Sequence, residues 1–254
     1  MKRPAGAPSM PGMTIPRSKL LAAAAAAVLV VGSLGCGAIR SVKNIADNAS
    51  TLGDLSDKLN NAEKLTFQAE YKLDDGSKVT VAQQPPNSAA VGESGRYIAT
   101  ADSYLFCDTE SGKTACQRSP REAGDTSADA AVAGVGAGFV SGPLALAVLT
   151  AAILIPSAKV DKKQEKIAGQ QSTCATVSNL ESAQQDQPAD QRLHDFTVCI
   201  TDAGILSRFT GTGADGKKQG VELTHYTTNV DASLFQAPAG ATVTDVGAFP
   251  SATS

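Results

Sequence analysis

The chain has 254 residues, 42% of them hydrophobic and 4% aromatic, with a formal net charge of −3. The first 35 positions hold Lys2, Arg3, Arg17 and Lys19 and no acid, so a chain without them carries −7. That acidity argues against nucleic acid as a partner, because phosphate binding needs clustered Lys and Arg, and no nucleic-acid motif is present.

A positive amino-terminal region, the apolar run Leu20 to Val31 and the small residues that follow predict an export signal over 1–35. Cys36 directly follows Gly35, and this junction resembles a bacterial lipobox. The resemblance implies a diacylglyceryl thioether on Cys36, with palmitate-type acyl chains anchoring an extracytoplasmic lipoprotein to the cell membrane. Ser33 stands where the pattern usually has Leu, and Leu34 lies one place later. The alternative is an ordinary secretory signal with an incidental cysteine.

Residues 36–62 predict an anchored amphipathic helix, with Ile39, Val42, Ile45, Ala49, Leu52, Leu55 and Leu59 at intervals of three and four. It is either one helix or two broken near Gly53. From Leu65 the period becomes two. LTFQAEYKL puts Leu65, Phe67, Ala69, Tyr71 and Leu73 on one face, Asp74-Asp75-Gly76 turns, and KVTVAQ returns, which predicts a hairpin ended by Pro85-Pro86. RYIATADSYLFCD continues as strands, and residues 117–128 read as a polar loop.

FVSGPLALAVLTAAILIP, 139–156, has no charge and no polar face, so it predicts a helix buried in a core or in a bilayer. Its strong part, Leu144–Ile155, covers only about 18 Å as a helix. Spanning would also place the chain that follows on the other side of the membrane from the chain before it. Residues 157–173 read as polar, strands resume in TCATVS, FTVCITD, GILSRFTG and QGVELTHYT, 181–191 is a polar insertion, and 249–254 is a tail.

Four cysteines remain besides Cys36. An even number in an exported chain predicts two disulfides, with three possible pairings. The expected hairpin brings Cys107 to Cys116, and pairing two strands joins Cys174 to Cys199. A four-cysteine zinc site is the alternative, but the close paired spacing of structural zinc is missing. GTGADGKK, 211–218, falls short of a phosphate-binding loop: Lys218 stands where Ser or Thr should follow Lys217, and a strand follows where a helix is needed. His194 and His225 lack partners at metal-binding spacing. The residues therefore give no catalytic constellation, no cofactor site and no enzyme reading.

Four stretches carry a wider resemblance: LTFQAEYKLDDGSKVTVAQQPP (65–86), SYLFCDTESGKTAC (103–116), FTVCITDAGILSRFTG (196–211) and VDASLFQAPAGATVTD (230–245). They resemble the LolA/LolB-like superfamily of carrier lipoproteins, of the LppX/LprG type. The resemblance implies an α+β domain over 63–248, a strongly curved antiparallel β-sheet forming a half-barrel, with helices plugging its concave face. It further implies an apolar cavity that binds or transports a lipid or lipoglycan. The cavity candidates are Phe67, Tyr71, Phe106, Phe139, Val140, Leu144, Val148, Ile155 and Phe209. Two rivals stay open: an envelope sensor that recognises a partner protein, and an integral membrane protein with 139–156 spanning.

Overall fold

The computed structural model describes residues 38–93, 95–110, 112–121, 140–180, 184, 192–213 and 216–247, the side chains of 38–49 and 110 excepted. The expected signal, Cys36, Phe139, most of the insertion at 181–191 and the tail lie outside the described residues.

Among the described residues two α-helices, α1 (Ala38–Ala62) and α2 (Gly142–Ile153), accompany twelve strands. The strands are β1 (Phe67–Leu73), β2 (Lys78–Gln84), β3 (Asn87–Val91), β4 (Gly95–Ala99), β5 (Ser103–Glu110) and β6 (Lys113–Pro120), then β7 (Lys159–Ile167), β8 (Gln170–Ser178), β9 (Leu193–Thr201), β10 (Leu206–Gly213), β11 (Lys218–Thr227) and β12 (Thr242–Asp245). They form one sheet in the order β12-β6-β5-β4-β3-β2-β1-β11-β10-β9-β8-β7.

This architecture corrects the α+β half-barrel expectation. Among the described residues the protein is mostly sheet with few helices, and the outermost strands β7 and β12 do not pair with each other, so the sheet does not close into a barrel. Three of the strands carry little local signal in the sequence, so the sheet is larger than expected. KVDKKQEKI, within the stretch expected only to be polar, is the edge strand β7, exposed at six of its nine positions. Charge on an edge blocks pairing with other chains, so such a strand lacks the apolar alternation of an inner one. β3 is short and follows the Pro85-Pro86 turn, which is cis. β12 pairs with β6 in a parallel match, across a connection that no hairpin signal announces. Gln117–Pro120, expected as loop, completes β6.

Two meanders make the sheet. β1–β6 run outward from the centre and β7–β11 run inward, and they join where β11 pairs with β1, Gln68 opposite Thr227. On β1 the residues Phe67, Ala69, Tyr71 and Leu73 are buried on one face, in the register Phe67↔Gln83 and Ala69↔Val81 with β2.

Both helices lie on that face. Leu55 of α1 and Ala145, Leu149, Ala152 and Ile153 of α2 are buried against Phe196, Val198, Ile200 and Leu206. Gly53 does not break α1. α2 opens on Ser141, whose Oγ accepts from Leu144 N, with Pro143 in the first turn where its missing N–H costs no helical bond. At twelve residues α2 is too short for a bilayer, and among the described residues no helix is long and apolar enough to cross a membrane. The opposite face of β3–β6 is covered by the carboxyl-terminal segment, where Leu234, Phe235, Ala241 and Val243 pack on Ala89, Ile98 and Leu105.

Candidate functional site

Between α1, α2 and strands β1–β3 the structure leaves a partly open cleft of about 260 Å³. β1 and β2 supply Phe67, Tyr71 and Val81, which the two-residue period turns toward the helices. α1 supplies Leu59, and α2 supplies Pro143 and Leu146. Polar groups also line it: Asn60, Glu63, Gln83, Ser88 and Ser141.

Several of these side chains are held in place. The Tyr71 hydroxyl donates to the Leu206 carbonyl at 2.9 Å, and burial pushes its phenol above the ordinary value. Gln83 Nε2 donates to the carbonyls of Ala62 and Leu65, at 2.7 and 3.0 Å, closing the end of α1 onto β2. Two glycines let the walls meet. A Cβ at Gly142 would lie 2.9 Å from the Leu59 side chain. One at Gly204, in the β9–β10 turn with φ +92°, would lie 2.0 Å from the Lys58 carbonyl oxygen.

The cavity candidates separate into groups. Phe67 and Tyr71 line the cleft. Val140 is buried in the core beneath α2, and Leu144, Val148 and Ile155 are half-buried against that core. Phe209 is half-buried with its ring stacked on Phe196, centroids 6.1 Å apart. Phe106 belongs to another cluster on β4–β5, its ring 4.8 Å from that of Tyr97. Leu59, Val81 and Leu146 also line the cleft, although the sequence reading did not single them out for it. The Leu52–Leu55–Leu59 spacing marks an apolar helix face, but the spacing alone does not separate a cleft wall from core.

Both expected disulfides are present, Cys107–Cys116 and Cys174–Cys199, each joining residues directly opposite on antiparallel strands with Cα atoms 4.0 Å apart. Over the second lies a charged cluster. Arg208 contacts Glu165 at 2.7 Å and Glu222 at 2.6 Å, and Lys163 lies 2.9 Å from Glu165. Hydrogen bonds from Lys163 and Arg208 hold the Glu165 carboxyl below the usual range. Residues 211–218 join β10 to β11 as a hairpin, with Gly216 at φ +77°. Among the described residues no cluster of three or more His, Cys, Asp or Glu side chains is placed to hold a metal.

No family model matches the chain, and no curated protein matches it. Among solved structures, an uncharacterized conserved protein from Thermus thermophilus is similar over 77% of this chain and 99% of its own, at 10% identity and a TM-score of 0.43. A likeness at that level carries no inference about activity.

Proposed function

We propose that this chain is a cell-envelope lipoprotein, anchored through Cys36, that binds or carries a lipid or lipid-modified molecule in the cleft between the helix pair and β1–β3. The observation that carries the reading is the apolar wall of that cleft, Leu59, Phe67, Tyr71, Val81, Pro143 and Leu146. Such a surface recognises hydrocarbon by removing it from water, without directional bonds. The resemblance of 65–86, 103–116, 196–211 and 230–245 to LolA/LolB-like carriers supports the same ligand class. At about 260 Å³ the cleft is slightly below the ~300–1,000 Å³ range of small-molecule sites. It suits a segment of one acyl chain, and larger cargo requires α1 and α2 to part.

One observation favours a second reading. Beneath α2 the core is filled, with Ala145 and Leu149 fully packed, which suits an envelope sensor that meets a partner protein through its surface. The test is to purify residues 37–254 without detergent and extract them for mass spectrometry. Every described element is retained in that segment. A stoichiometric lipid supports the carrier. A soluble, lipid-free protein rejects it in favour of the sensor.

A further inference from the structure

α2 is a surface helix with an uncharged outer side. Its buried stripe is Ala145, Leu149, Ala152 and Ile153. Pro143, Ala147, Thr150 and Leu154 face solvent, and no charged residue occurs from Val140 to Ala158. Leu154 is 64% exposed and is the one exposed large hydrophobic among the described residues. Surface helices ordinarily carry charge on this side, so the stripe calls for an occupant.

The path of α1 identifies it. Asp54 pairs with Lys162 of β7, which lies opposite Ala175. One turn later Lys58 reaches Thr173 and Asp202. α1 therefore runs along the strands toward the β9–β10 turn. α2 runs the other way: it starts where Gly142 faces Leu59 and Leu206, and it is followed by Ser157, which donates to the Asn179 carbonyl just past the end of β8.

Leu154 thus lies at the end of the molecule toward which α1 points backward. From Asp54 back to Ala38 the helix extends about 24 Å, whereas β7 has only three residues, about 10 Å, left in that direction. Two residues before Ala38 stands Cys36, and before that the apolar run Leu20–Val31.

Resting on the reading that this amino-terminal region attaches the protein to a membrane, we propose that the Leu154–Pro156 corner is a second membrane contact. Leu154 enters the headgroup region, and exposed Lys159 follows five residues later in the chain. A single leucine binds lipid weakly in solution. The tether changes this, because the contact becomes intramolecular and gains a high effective concentration.

The chain has no Trp, so Leu154→Trp gives a unique fluorescent reporter, and Lys166→Trp gives one at the opposite end of β7. Each full chain is reconstituted into phosphatidylglycerol–phosphatidylcholine vesicles that contain lipid brominated on its acyl chains. Flotation with the vesicles, with emission quenched and blue-shifted for Leu154→Trp and unchanged for Lys166→Trp, is the expected result. Flotation without quenching at position 154, or equal quenching at both, overturns the corner contact while leaving the anchor intact. A chain that does not float overturns the anchor, and the contact with it.

Discussion

The Lys58 ammonium lies 2.6 Å from the Asp202 carboxylate, pinning α1 to the β9–β10 turn. Gly204 follows two residues later, with its backbone against the Lys58 carbonyl. The ion pair is partly exposed, so Lys58→Ala should cost only about 1 kcal/mol. Gly204→Ala meets both a positive φ and a backbone oxygen, and should cost more than about 2 kcal/mol. Urea unfolding ranks the two. A smaller loss for Gly204→Ala than for Lys58→Ala would show that α1 is not held at this turn.

The disulfides close short chain segments, with sequence separations of 9 and 25. Loop-closure entropy gives about 2.7 kcal/mol for the first and about 3.5 for the second. Replacing each pair by Ala should lower the denaturation midpoint in that order, and reductant should lower the wild-type midpoint while leaving the four-Ala variant unmoved.

Glu165 predicts an acid-side dependence. Its folded pKa is lowered, chiefly by the hydrogen bond from Lys163 and then by Arg208. The charged carboxylate thus contributes stability above its unfolded pKa of roughly 4.3, and that contribution is lost as pH falls through the lower folded value. Glu165→Gln should be less stable than wild type at neutral pH, with the difference shrinking as pH falls below the unfolded pKa. A constant difference across that range would exclude the linkage.

Core and cleft respond differently to substitution. Leu149 is fully buried, and Leu149→Ala should cost about 2–5 kcal/mol. Val81 is half-buried at the cleft, so Val81→Phe should fill space with little change in stability and should reduce bound lipid severalfold in extracts. Unchanged lipid in a folded Val81→Phe protein would move the ligand elsewhere.

The sequence made some elements legible and hid others for physical reasons. The alternation in LTFQAEYKL showed β1 and its buried face because that strand faces the core on one side only. The cysteine pairs were legible through the strands that carry them. β7 was not, since an edge strand is selected for charge. Nor was the join of β1 to β11, because no local pattern encodes a pairing between segments so far apart in the chain. At the cleft, Phe67 and Tyr71 were legible as inward-facing aromatics, whereas Phe106 shares their type and period but sits three strands beyond β2 from them in a separate aromatic cluster.

The join between β1 and β11 also sets an order of events. A chain delivered amino terminus first completes β1–β6 while the partner of β1 has yet to emerge. During that interval the free side of β1, with its unpaired amides and carbonyls, is a template for any other extended chain. Closure waits on β11, across a long loop that makes the pairing slow. A chain stopped after β10 keeps every hairpin of both meanders except β10–β11 and lacks the strand that joins them, and should accumulate as aggregate rather than as a smaller folded protein.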